Sequence, residues 1–321
     1  PLLVSLFPFL IVSALLMGCG AGPLLGFAFQ PAARVIGVRA KAAGSVLLIG
    51  FLGGFAPAAA AAAQAVRTGQ LTPRQASVLL PACVCSGPSF VILTVGEQML
   101  GSRALGVWLF AAQLLAGYLT AAVLCRMQGG AGQCLPAKAE DIPLPTLDAV
   151  VAQAAVTYLK LCGFVLYFRL LAAGAEALLP KPWSVLPAML LEVCSGCDCA
   201  SRTGLWASTL CCAALSMQGA SVLLQVRTIC PPEVSLGPLL AARVLHLPLS
   251  LALFWLVVPG TEQAVQAFST LSGRVAVMHR VPLDCALLAF AVCCITVAEL
   301  QKRCSGQCEA LHGQHKKTAA R

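Results

Sequence analysis

Glu192 stands in Leu190-Leu-Glu-Val-Cys-Ser-Gly196, a lone carboxylate between apolar residues. At the centre of a membrane helix a charge costs about 2.5–3.5 kcal/mol on insertion scales, so it faces a bundle interior or a water-filled cavity. The serine and glycine that follow predict that the helix stops there. A half-helix ending inside the bilayer with a polar tip is one way transporters build a substrate site. The plainer alternative is a short helix ending near the surface, with Glu192 in water. Polar residues at the other interruptions of apolar segments complete the candidate solute contacts. They are Gly54, Ser86 and Ser89 in the first half, and Ser195, Gln218, Ser221 and Gln225 with Glu192 in the second. Arg243 and His246 lie at i, i+3 on one helix face. They are the expected charge partners of Glu192, because pairing offsets the cost of burying both charges.

Two other chemistries need residues of the same kinds. Cys194-x-x-Cys197-x-Cys199 beside Asp198 could gather thiolates for a soft metal. A structural zinc site wants four ligands, usually as two spaced pairs, and no second pair follows, so neither metal nor cofactor is expected. The chain holds no phosphate-cradling Gly-Lys-Ser/Thr loop, no His-Glu-x-x-His and no nucleophile elbow. Catalysis is not expected.

The elements that position these residues belong in a bilayer. Of 321 residues, 59% are hydrophobic and 10% charged, against about 25% charged in soluble domains. The net charge of +9 is spread over connecting segments, which reads as topology through the positive-inside rule. No basic face with readout groups suggests nucleic acid. The 17 cysteines sit mostly in apolar helices, where a free thiol acts as a small hydrophobe.

In chain order, Leu2–Gly18 is a membrane span rather than a signal peptide, since it lacks a basic start. Ala33–Lys41 reads as an amphipathic interfacial helix. Ala43–Gly53, about eleven residues at about 1.5 Å each, reaches only halfway through a core of about 30 Å. Gly53, Gly54 and Pro57 turn the chain into a second limb, Ala58–Val66, making a re-entrant hairpin; one kinked helix over Ser45–Val66 is the alternative. Gln75–Val95 is a span broken at Cys85-Ser-Gly-Pro88, since Pro88 removes a helical hydrogen bond. Ala104–Leu124 is a full span. Gln128–Leu147 is a polar linker. Val150–Ala173 is a full span, and Val185–Val193 is the short limb carrying Glu192. Leu205–Ile229 is a span interrupted at Ser216–Gly219, and Leu236–Val258 is a full span. The loop Pro259–Arg280, a last span Val281–Leu300 and a basic, disordered tail close the chain.

Cys85-Ser-Gly-Pro-Ser89 and Met217-Gln-Gly-Ala-Ser221 match loosely, with Gly87 against Gly219 and Ser89 against Ser221. The order of elements around them matches better. With Arg34–Lys41 and Arg67–Arg74 inside, three crossings separate the two hairpins, which therefore enter from opposite faces. That is the inverted-repeat plan of secondary transporters.

This order of elements resembles the nucleoside-recognition, or Gate, family, and within it the YlbJ-type sporulation integral membrane proteins. The resemblance rests on Gly50-Phe-Leu-Gly-Gly-Phe-Ala-Pro57, Cys83-Val-Cys-Ser-Gly-Pro-Ser-Phe-Val91, Leu190–Gly196, Ser216-Met-Gln-Gly-Ala-Ser-Val-Leu-Leu-Gln225 and Ala242-Arg-Val-Leu-His246. It covers roughly residues 24–258. It implies relatedness to the transport core of concentrative nucleoside transporters and a role in building the spore envelope or cortex. The chain departs from the family at its first tip, Gly54-Phe-Ala-Pro57 for the usual Ser-Gly-Tyr-Pro. Val84 and Cys85 stand where the family has paired asparagines. Amide donors suited to a nucleoside-like ligand are thereby lost.

The expectation is an all-α polytopic membrane protein with two inverted repeats, each a re-entrant hairpin, a broken helix and a full span. Its parts are a first span (1–18), a first repeat (24–127), a polar linker (128–148), a connecting span with the second repeat (149–258), a loop and last span (259–300) and a tail (301–321). It would sit in the cell membrane or a spore membrane and bind or move a small solute, with the lipid bilayer as its partner and a homo-oligomer compatible with the pattern. The alternative is a non-transporting scaffold for envelope assembly. A cavity reached by solvent at Glu192, Gln218 and Gln225 favours transport; a dry centre favours the scaffold.

Overall fold

A computed structural model describes residues 2–18, 26–130, 146–180 and 183–258. They all belong to the first of two compact units, 1–273. Most of the linker, Arg274 and Arg280, the expected last span and the tail lie outside the described residues.

The chain is an all-α polytopic membrane protein. The first half runs through α1 (Leu2–Gly18), α2 (Gln30–Ile36), α3 (Ala43–Gly53), α4 (Phe55–Arg67), α5 (Pro73–Cys83), α6 (Ser89–Met99) and α7 (Arg103–Met127). The second half has α8 (Leu147–Leu178), α9 (Val185–Leu191), α10 (Val193–Ser201), α11 (Ala207–Met217), α12 (Gly219–Ile229) and α13 (Gly237–Val257). Among the described residues four helical segments are long and apolar enough to cross a membrane: α7, α8, Gly204–Ile229 and α13.

Local chemistry sets the helix ends. Thr72 and Gln75 form a reciprocal capping box at the start of α5, with Pro73 in the first turn, where its missing N–H costs nothing. Ser102 caps α7 through the Leu105 N–H, and Thr146 caps α8 through that of Ala149. The interfacial helix is shorter than expected. It ends at Ile36 because Gly37 turns left-handed (φ 110°) and returns its N–H to Ala33 and Arg34, leaving Arg39 and Lys41 beyond it. α6 is wound as a π-helix, and the Leu100 N–H still reaches back five residues to Val95. It lies close on α7: a Cβ on Gly96 would stand 2.4 Å from the Gly106 Cα. Such small-residue contacts let helices approach in lipid.

The two halves pack by one plan. Hairpin α3–α4 lies against the distal half of the second broken helix, α12, and hairpin α9–α10 reaches the distal half of the first, α6. The closing spans α7 and α13 pair with each other, and so do the leading helices α1 and α8, where the Phe7 and Tyr158 rings meet edge to face at 5.6 Å. Sequence reading set α1 and α8 apart from the repeats; their packing makes them the matching first element of each. Burial follows from this plan. The most apolar stretch of Gly204–Ile229 is 72% buried, that of α8 only 17%. Leu159, Leu166, Val244 and Leu256 are exposed where lipid would lie.

Basic residues gather at one end. Gly37 meets Cys125, next to Arg126. The Arg74 guanidinium donates to the Gln128 and Gly130 carbonyls. Arg67 and Arg227 both act electrostatically on Cys230. The positive-inside rule expects such an end on the cytoplasmic side.

Candidate functional site

Each hairpin tip meets the break of its own repeat, backbone to backbone. A Cβ on Gly54, at the tip between α3 and α4, would stand 2.8 Å from the Gly87 nitrogen in the gap between α5 and α6. A Cβ on Gly219, just past the break between α11 and α12, would stand 2.9 Å from the Glu192 nitrogen. The loose match of Gly87 with Gly219 therefore has a structural counterpart.

Glu192 is not the end of a helix followed by a loop. α9 stops at Leu191, Glu192 is extended (φ −150°, ψ 128°), and Cys194, Ser195 and Gly196 lie inside the second limb, α10. The cause is the side chain itself. Its carboxylate accepts the Cys194 N–H at 2.9 Å, the Ser195 N–H at 2.7 Å and the Ser195 hydroxyl at 3.1 Å. It caps α10 and satisfies N–H groups that a helix start leaves free. The positive end of α10 offsets the negative charge. Glu192 is 1% exposed, so the alternative of a wet surface carboxylate fails.

The expected pairing of Glu192 with Arg243 or His246 is not made. Among the described residues the ion pair is Arg202 with Asp198. Arg243 instead bridges two carbonyls, Ser216 at 3.2 Å through Nη1 and Val84 at 2.9 Å through Nη2. Val84 closes α5 and Ser216 lies in the last turn of α11. The buried Glu192 and the part-buried Arg243 are each balanced by helix ends rather than by one another. His246, one turn on, reaches the Gln113 carbonyl at 3.1 Å through Nε2.

Gln113, Ser216 and Ser250 complete a buried polar junction that sequence reading missed. The Gln113 amide donates to the Cys212 carbonyl at 3.1 Å and the Ser216 hydroxyl at 2.9 Å, and Ser216 also bonds Ser250. The available signal was a glutamine in the middle of the apolar run of α7.

Gln218 is the break itself. It is left-handed (φ 58°, ψ −8°), the only described non-glycine residue with positive φ. It is 1% exposed, and both its amide nitrogen and its amide oxygen lack a partner. Along the same face of α12, the Gln225 amide donates to Ser221 at 2.8 Å while its oxygen has no partner. Ser86 is buried at the first break, and Ser89 is exposed, apart from the buried group. Of the cysteines of α10, Cys197 is buried, while Cys194 and Cys199 are part-exposed. Among the described residues no three histidines, cysteines or acids gather as a metal group.

The arrangement leaves an amide donor and an amide acceptor side by side without protein partners at Gln218. Comparison with known protein families, with curated proteins and with solved structures finds no match.

Proposed function

We propose that this chain is a transporter-like membrane protein of endospore formation, binding or moving a small neutral solute between its two broken helices. The observation that carries the reading is Gln218. More than about nine in ten buried polar groups are hydrogen-bonded, and leaving one unmade costs about 1–3 kcal/mol. Gln218 leaves two unmade on one side chain, in a left-handed conformation that costs about 1–2 kcal/mol more. A solute presenting a donor next to an acceptor, such as an amide or lactam edge, would satisfy both. Ser221 and Gln225 extend the same face. Glu192 supports the site by holding α10 in place rather than by offering a free charge, which favours a neutral solute. The sequence resemblance supports the setting in spore-envelope formation.

A specific observation favours the scaffold reading: Glu192, Gln218, Ser221 and Gln225 are all 1% exposed or less, so the centre is closed to solvent in this conformation. A ligand-stabilisation screen separates the two. Purified full-length chain in detergent is melted with neutral amides, lactams, nucleosides and sugars. A bound solute at 100 times its Kd adds about 2.7 kcal/mol, a clear upward shift. If one compound stabilises the protein and Gln218→Ala abolishes the shift, the solute reading holds. If none does, the scaffold reading stands.

A further inference from the structure

Arg243 carries its positive charge at a part-buried position with no ion-pair partner among the described residues. Among the described residues the ion pair joins Arg202 to Asp198, and the Glu192 carboxylate is engaged at the start of α10. Its two hydrogen-bond acceptors are backbone carbonyls, the Cys85 thiol lies within electrostatic reach, and Nε has no partner. Nη1 donates to the Ser216 carbonyl and Nη2 to that of Val84. Both carbonyls belong to helices that stop at a break, where the last turn leaves acceptors without intrahelical partners. Each such end carries about half a negative charge. Two converging ends sum to about one unit, opposite to one guanidinium.

In ion-coupled carriers with broken helices, half-helix C-terminal ends and unwound carbonyls coordinate the driving cation. Here a side chain from a third helix, α13, supplies the positive charge. We infer that Arg243 is a built-in cation that joins the two breaks, so the core is assembled without a bound sodium or potassium ion. Val84 lies 159 residues from Arg243 and Ser216 lies 27 away. The guanidinium thus ties the first repeat's break to the second's. Its planar fork suits the task, because two nitrogens can donate in two directions at once, which a lysine ammonium does less well. Any motion that parts the breaks must first release one of the two carbonyls. The inference concerns how the breaks are held and does not rest on the solute reading; a core that binds no solute would show the same behaviour.

The test is thermal melting of the purified full-length protein, without solute, in sodium, potassium or choline chloride at equal ionic strength. Wild type is expected to melt at the same temperature in all three. Arg243→Ala is expected to melt lower, by about 5 °C or more for two lost charge-assisted hydrogen bonds. Millimolar ethylguanidinium should restore part of the loss, and tetramethylammonium, a cation without N–H donors, should not. Arg243→Lys should fall between wild type and Arg243→Ala. Should Arg243→Ala fail to accumulate, the salt comparison on wild type and the Arg243→Lys shift still decide. Wild type stabilised by sodium or potassium over choline overturns the inference. So does an Arg243→Ala protein that melts like wild type, that ethylguanidinium leaves unmoved, or that tetramethylammonium restores equally.

Discussion

Gly219 and Glu192 touch backbone to backbone: a Cβ on Gly219 would stand 2.9 Å from the Glu192 nitrogen. The contact seats the hairpin tip in the break of the neighbouring helix. Gly219 also has φ +70°, a region that costs other residues about 1–2 kcal/mol. Gly219→Ala therefore combines backbone strain with a clash against Leu191 and Glu192. It should lower stability by about 2–4 kcal/mol, from strain plus overpacking. Gly163, in the middle of α8 with nothing within 4 Å of its Cβ position, gives the contrast. Gly163→Ala should raise stability by up to about 1 kcal/mol through helix propensity. Melting both variants in detergent checks the pair, and equal shifts would contradict the tip-in-break contact.

Glu192 acts through α10, so its substitutions should rank by capping ability. Glu192→Ala removes the acceptors for the Cys194 and Ser195 N–H groups and should cost about 0.5–2 kcal/mol. Glu192→Gln keeps one acceptor oxygen and should cost less. Hydrogen exchange at the Cys194 and Ser195 amides offers a local readout. Both should exchange faster in Glu192→Ala, and unchanged protection would show that the cap is not what holds α10.

The basic end of the molecule makes a topological prediction. Single cysteines placed at Thr68 and at Trp183, in a cysteine-depleted background, should label from opposite faces of the membrane, Thr68 from the cytoplasm. Labelling of both from one side would remove the inverted arrangement of the two hairpins.

Much of the architecture was legible because the signals were local. The bounds of α1 and α3 coincide with the apolar runs that end at Gly18 and Gly53. Both helix breaks sit where glycine, proline or polar residues interrupt such runs. The helix ends that depend on dihedral choice were less legible. α2 stops at Gly37 rather than running to Lys41 because one glycine turns left-handed. The role of Glu192 was misplaced because its partners are backbone N–H groups, which no side-chain pattern records. Arg243 stands out in the sequence as a charge within an apolar span, but its acceptors are carbonyls of other helices. Opposite side-chain charges suggested a pair, while the helix ends had already balanced each one. Gln113 was passed over because one amide in an apolar span reads as tolerated rather than as the link between α7 and α11.

The most direct measurement sets stability against function at Gln218. Gln218→Gly removes an amide that has no partner and places glycine where φ is +58°. A purely structural residue of this kind should be replaceable at a gain, so the variant should melt no lower than wild type and up to about 2 kcal/mol more stable. If Gln218 holds a solute, the same variant, present at normal level by immunoblot, should fail to restore heat-resistant spores in a strain lacking the native protein. Lys316→Ala, in the basic tail, should restore them fully. A Gln218→Gly protein that is stable, normally abundant and restores full heat resistance would contradict the solute site.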